Sequence, residues 1–218
     1  MSLLRAFIAV EIPRAIQLAI QQATSPLRNE LGSHVRWTPP ENIHLTLKFL
    51  GDISPASADD LARAIRAAVE TIPAFDIHVG RFGSFPNFKR ARVLWVGTQP
   101  PTELDALYRE VESACGRLGF APESRGFSPH LTIARVKEDG SAADRNKILR
   151  LLEATTIDVL GAVRVDSAHL FKSELKSSGA VYTKLFSAPL RGVMLSETKQ
   201  LPPQNGDSSP SAQSDTTL

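Results

Sequence analysis

Two tetrapeptides constrain this chain more than any other feature. His44-Leu45-Thr46-Leu47 and His130-Leu131-Thr132-Ile133 both read His-Leu-Thr-aliphatic, and they lie 86 residues apart. Side chains alternate between faces along a β-strand, so His and Thr share one face while the two aliphatic residues share the other. Each stretch therefore predicts a strand with one apolar face for a core. The opposite face carries an imidazole beside a hydroxyl. A single His-x-Thr arises readily by chance, but two copies in matching surroundings do not.

The surroundings do match. Residues 3–11 read as a strand stopped by Pro13. Ile16, Ile20, Ala23, Leu27 and Leu31 recur at helical spacing, and Gly32 suits the helix end. Residues 35–38 are a short extended piece before Pro39-Pro40. The first His strand covers 43–50. Ser54-Pro55 opens a helix with Leu61, Ile65, Ala68, Val69 and Ile72 on one face, and 74–85 is a strand. The second half repeats this order: strand 92–97, helix 102–118, His strand 130–136, helix 141–153 and strands within 157–175, with a further strand at 180–187. Thr102 with Asp105, and Ser141 with Asp144, read as capping boxes. One offset of 86 residues carries Ile8 onto Leu94, His44 onto His130 and Phe85 onto Phe171. A long-period repeat of this kind predicts an α+β protein of two lobes related by a pseudo-twofold axis. Each lobe is expected to be a mainly antiparallel sheet with helices on its outer face, and the two His-x-Thr faces are expected to line a cleft between lobes. The bilobal domain is expected over 1–195, with repeat halves of about 1–90 and 91–190. Residues 196–218 are Ser, Pro, Gln, Asp and Thr with almost nothing to bury, which predicts a disordered tail.

Bulk properties exclude several classes. The chain has no apolar run near the ~18 residues of a membrane helix, and the opening segment is too short for a signal peptide. Cys115 is the only cysteine, so neither an intrachain disulfide nor a cysteine metal cage is available. A cytoplasmic location, a monomer and no membrane contact are the expectations. Net charge is +2 overall, and residues 1–195 alone carry +4. That mild basic bias permits a phosphate-bearing ligand.

Two imidazoles on one cleft suit paired acid–base work, because histidine titrates near neutrality. A neutral ring takes a proton from an attacking water while a protonated ring gives one to a leaving oxygen. The threonine hydroxyls are placed to bind non-bridging oxygens of a tetrahedral anion. A phosphodiester fits, since its entering and leaving atoms are both oxygens on opposite sides of phosphorus. Two histidines are too few for a metal site, and neither motif holds Asp or Glu at ligand spacing. A Gly-x-Ser-x-Gly elbow, a P-loop and a Gly-x-Gly-x-x-Gly fingerprint are all absent from the sequence. No metal and no cofactor are expected.

The stretch Arg36-Trp37-Thr38-Pro39-Pro40-Glu41-Asn42-Ile43-His44-Leu45-Thr46-Leu47-Lys48-Phe49-Leu50-Gly51, followed by Phe127-Ser128-Pro129-His130-Leu131-Thr132-Ile133-Ala134-Arg135, resembles the 2H phosphoesterases. It is most similar to the RNA 2′,3′-cyclic phosphodiesterases, the LigT-like or 2′-5′ RNA ligase-like proteins. The resemblance spans about residues 3–190 and includes the opening Arg5-Ala6-Phe7-Ile8-Ala9-Val10 strand and Tyr182-Thr183-Lys184-Leu185. It implies metal-independent hydrolysis of RNA 2′,3′-cyclic phosphate ends to 2′-phosphomonoesters, with hydrolysis of small cyclic nucleotides as a rival reading. It further implies His44 as proton donor to the 3′-oxygen, His130 as proton acceptor, and Thr46 and Thr132 as phosphate ligands. The internal symmetry makes the histidines equivalent, so the assignment of acid and base comes from the resemblance. Arg135 matches a family arginine near the phosphate, although strict alternation places it opposite His130 unless a bulge intervenes. The alternatives are a reversible 2′-5′ RNA ligase, hydrolysis of ADP-ribose cyclic phosphate, and a non-catalytic RNA-end binder.

Other residues are candidates by position. Phe7 and Trp37 are candidate platforms for a base. Lys48 shares parity with His44 and Thr46 and is expected to face the cleft, whereas Phe49 shares parity with Leu45 and Leu47 and is expected in the core. The basic run Lys89-Arg90-Ala91-Arg92 reads first as a solvated loop and second as an RNA-backbone contact. His34, His78 and His169 lack a threonine partner and read as surface or structural residues.

Overall fold

Alternating apolar and polar strands produce an α+β architecture in which nine strands, among the described residues, form one curled antiparallel sheet. The structure is a computed structural model that describes residues 3–193 except Glu138 and Ser178. The tail expected from residue 196 lies outside the described residues. The strands are β1 (Leu4–Glu11), β2 (Val35–Trp37), β3 (His44–Ile53), β4 (Phe75–Phe85), β5 (Val93–Gln99), β6 (His130–Val136), β7 (Gly161–Val165), β8 (Ser167–Lys176) and β9 (Gly179–Pro189). The sheet order is β7-β4-β5-β6-β3-β1-β8-β9, with β2 added alongside β6. The two His strands lie at its centre, where β3 and β6 meet through Leu45 opposite Leu131.

The pairing interleaves the two sequence halves. β4, from the first half, pairs with β5 of the second, while β8 and β9 of the second half extend the sheet beyond β1. The 86-residue offset survives in the register: Phe7 sits opposite Phe171, and Val93 sits opposite Phe85. Each lobe is therefore built from both repeats, and the repeat halves are not the lobes.

The helices that cover one face are α1 (Arg14–Ala23), α2 (Ser25–Leu31), α3 (Ser57–Val69), α4 (Thr102–Arg117) and α5 (Ala142–Glu153). Their apolar stripes, including Ile20, Leu61, Ile65, Leu104, Leu107 and Val111, bury against Ile8, Leu45, Leu47, Leu131 and Ile133 of the strands. At roughly 1.5–3 kcal/mol for each fully buried aliphatic side chain, this face holds the sheet in its curl. A second small cluster, Phe7, Ala9 and Phe171 with Tyr182 packed on it, lies on the opposite face.

Three local expectations change or are met in detail. The helix expected over 14–31 is two helices, because Pro26 at the start of α2 lacks the N–H that a continuous helix needs. Thr24 at the break returns its hydroxyl proton to the Ile20 carbonyl at 2.8 Å. α4 starts at Thr102 without a side-chain cap, and the Thr102 hydroxyl donates to Glu103 instead. The Ser141–Asp144 capping box of α5 forms in both directions.

Candidate active site

The site is assembled on β3 and β6. In both strands the pattern His half-buried, Leu buried, Thr half-buried, aliphatic buried follows the expected alternation. His44 Nδ1 donates to the Asn42 carbonyl at 2.8 Å, and His130 Nδ1 donates to the Ser128 carbonyl at 2.7 Å. A carbonyl oxygen only accepts, so each Nδ1 carries a proton and each Nε2 is left for chemistry. The carbonyl partner is the residue two before the histidine in each case, so the repeat duplicates the device that sets the tautomer. Asn42 is itself fixed, since its side-chain amide donates to the Ala180 carbonyl of β9 at 2.8 Å. The segment before His130 is pinned to α4 by Phe127, which stacks on Tyr108 with ring centroids 4.0 Å apart.

Aromatic rings hold the imidazoles. Phe7 stacks on His44 at 4.7 Å, and Tyr182 meets the same imidazole edge-on at 5.3 Å. Phe85 meets His130 edge-on at 4.8 Å. Burial lowers the pKa of both histidines, and the Nδ1–carbonyl bonds oppose it. The charge of His130 lowers His44 further, while Arg135 does the same to His130.

A bulge re-aims the end of each strand. Ala9 faces Thr46 and Ile8 faces Lys48, so Leu47 is the extra residue on β3. Trp95 faces Thr132 and Leu94 faces Ala134, so Ile133 is the extra residue on β6. Beyond the bulge the faces exchange. Arg135 thereby reaches the cleft side, beside His130, and its charge also acts on the Tyr182 phenol. The bulge that its placement needed is present.

The same bulge corrects the reading of Lys48 and Phe49. Lys48 is 5% exposed and lies on the helix side of the sheet. Its ammonium donates to both Glu112 carboxylate oxygens at 2.8 and 2.9 Å and to the Ala121 carbonyl at 2.9 Å. It holds the 120–129 loop rather than facing the histidines. Phe49 is 66% exposed, with its ring 6.2 Å from Phe7. It lines the same cavity as Thr46, and only the tertiary register reveals it. Phe7 and Trp37 are not free platforms. Phe7 is 3% exposed beneath His44. Trp37 packs into the helix-side core under the Arg28 guanidinium, which lies 4.4 Å from its ring.

Two cavities flank the centre. One of about 1190 Å³ is lined by Thr46, Phe49, Phe85, His130, Thr132 and Arg135, and residues 88–92 form part of its wall. The other, of about 920 Å³, is lined by His44, Asn42, Tyr182, Glu11, Lys184 and His169. His169 is a satisfied structural residue: its ring nitrogens meet the Ser167 and Ser187 hydroxyls at 3.1 and 2.9 Å. Among the described residues no three His, Cys, Asp or Glu side chains converge as a metal-binding group. No helix among the described residues is long and apolar enough to cross a membrane.

Residues 12–176 match the family model of the 2′-5′ RNA ligase superfamily. The chain belongs to that superfamily. A superfamily relative from Methanothermobacter thermautotrophicus, named RNA 2′,3′-cyclic phosphodiesterase, is 32% identical over 182 residues, which is 83% of this chain and 96% of the relative. A protein of the same name from Aeropyrum pernix is 35% identical over 156 residues, covering 71% and 86% of the two chains. The superfamily fold is also seen in a Thermus thermophilus protein, TT0787, with TM-score 0.72 and 26% identity over 86% of this chain and 98% of that one. LigT of E. coli complexed with 3′-AMP gives TM-score 0.66 and 27% identity, covering 86% and 98%.

Proposed function

We propose that this chain hydrolyses RNA 2′,3′-cyclic phosphate ends to 2′-phosphomonoesters, using His44 as acid and His130 as base without a metal ion. The observation that carries the reading is the duplicated Nδ1–carbonyl bond, which presents an Nε2 from each of two central strands. His130 Nε2 takes a proton from water as the oxygen attacks phosphorus. The bond from phosphorus to the 3′-oxygen breaks, and that oxygen takes the proton from His44 Nε2. Thr46 and Thr132 donate to the non-bridging oxygens, and Arg135 offsets the charge that builds on them. Burial and a neighbouring positive charge lower the pKa of both imidazoles, so the assignment of His44 as acid and His130 as base rests on the family resemblance. Phe49 offers an exposed ring for the terminal base, a contact worth about 1–3 kcal/mol. The relatives named RNA 2′,3′-cyclic phosphodiesterase support the substrate class.

The test uses a short RNA with a 2′,3′-cyclic end, excess EDTA and phosphorus NMR of the product. A 2′-phosphomonoester that disappears in His44→Ala and His130→Ala, each slower by about 10²–10⁴-fold, is the expected result. A 3′-phosphomonoester reverses the leaving oxygen. A joined 2′-5′ product alone makes the protein a ligase, and binding without turnover makes it an end-binding module.

A further inference from the structure

The fold is nearly twofold, but its charge is not. Lys89, Arg90, Arg92, Arg125, Lys137 and Arg145 all line the cavity on the His130 side, together with the cleft-facing Arg135. Apart from the buried Lys48–Glu112 pair, Glu123 is the one acidic side chain among the described residues of that wall. The His44-side cavity instead balances Arg14, Arg164 and Lys184 with Glu11, Glu41 and Asp166. The 86-residue offset maps the six cations onto Leu3, Leu4, Ala6, Pro39, Gly51 and Asp59. None of these is basic, so the duplicated scaffold does not itself call for the charges. They come from separate stretches: residues 88–92 between β4 and β5, the 120–129 loop, Lys137 just past β6, and the first turn of α5. Four pieces of chain converge to make one cationic wall.

We propose that this wall binds the phosphodiester backbone of the RNA strand whose cyclic end occupies the active site. The proposal rests on the reading of the site as a cyclic phosphodiesterase and adds where the rest of the strand lies. At about 1190 Å³, the cavity exceeds the ~300–1,000 Å³ of ordinary small-molecule sites, which leaves room beyond one nucleotide. Lys89, Arg90 and Arg125 are exposed on its rim. Side chains of that kind meet phosphates without reading sequence. The enzyme then favours chains over free cyclic mononucleotides, and does so through KM.

The experiment compares the full chain with Lys89→Gln/Arg90→Gln/Arg125→Gln on two substrates, a ten-nucleotide RNA ending in a 2′,3′-cyclic phosphate and the free 2′,3′-cyclic mononucleotide. For the oligonucleotide the triple variant is expected to raise KM about tenfold or more with kcat unchanged. The slope of log kcat/KM against log salt is expected to flatten by about 0.7 for each phosphate that the variant no longer neutralises. Turnover of the mononucleotide is expected to stay within about twofold, which also shows that the variant is folded. Equal reductions on both substrates, or no reduction on either, overturn the proposal. If wild type turns over neither substrate, the reading of the active site fails instead.

Discussion

Phe49 and Arg135 occupy the same place in the two halves of the repeat. Each lies five residues beyond its histidine, and each is turned onto the cleft face by a bulge two residues before it, at Leu47 and Ile133. One scaffold position thus supplies an aromatic face on one wall and a guanidinium on the other. In the proposed function this division separates two jobs, holding the base and holding the phosphate. Phe49→Ala is expected to raise KM for a cyclic-phosphate RNA by roughly 5- to 150-fold, the range for removing a base–aromatic stack. Steady-state kinetics checks this, and a variant with unaltered KM removes Phe49 from substrate contact.

The charge of Arg135 acts on His130, and in the proposed function it also serves the phosphate. Replacing it by Gln removes a cation that lowers the His130 pKa, so that pKa rises. The acidic limb of kcat/KM is expected to move to higher pH, alongside a fall in the plateau. A lower plateau with an unmoved limb shows that Arg135 serves the phosphate alone.

The wild-type pH profile follows from the shifts of both imidazoles. In the free enzyme both pKa values lie below the ordinary 6.5, with burial the largest cause. The base must lose its proton and the acid must keep one, so kcat/KM is expected to be bell-shaped with its optimum on the acid side of pH 6.5. A bound anionic phosphate favours the charged form of His44. The optimum in kcat is therefore expected at higher pH than that in kcat/KM. Coincident optima above pH 7.5 contradict the assignment.

The Lys48–Glu112 pair is a stability element that also fixes the approach to His130. Lys48 is buried and Glu112 nearly so, and Glu112 accepts from the Glu123 amide at 3.3 Å. Removing one partner leaves a buried charge, so Lys48→Met is expected to cost about 3–5 kcal/mol in chemical denaturation. Lys48→Met/Glu112→Leu is expected to regain most of that stability. A single variant as stable as wild type shows that the pair contributes little.

His169 makes folding sensitive to acid. Its side chain is buried, and that burial, with Lys184 adding and Glu11 and Asp166 opposing, lowers its pKa to about 4. Between pH 4 and the unfolded value near 6.5, the unfolded state binds the extra proton, so stability rises with pH across that window. The stabilisation is complete above about pH 6.5 and fades as pH falls toward 4, for a total of ~3 kcal/mol. Denaturation of wild type and His169→Gln at pH 4.5 and 7 is expected to show a smaller pH difference in the variant. Equal differences exclude His169 as the source.

What the sequence by itself determined is local or periodic. It placed His44 with Thr46 and His130 with Thr132 on one face of each strand, because the backbone alternates faces with a period of two. It supplied the repeat offset that the strand register keeps, and the Ser141–Asp144 cap, because a capping box is made within four residues. The tertiary structure decided the rest. A bulge depends on how two distant strands register, so the parity that put Lys48 in the cleft and Phe49 in the core broke at Leu47. The choice between Phe7 as a platform for a base and Phe7 as a support for His44 depended on what lay above it. Trp37 went to the helix side because β2 joins β6 there. The pairing of β8 with β1, and the gathering of cations from separate segments onto one wall, are contacts across long stretches of chain. No window of sequence contains both partners of such a contact, so only the folded sheet could set them.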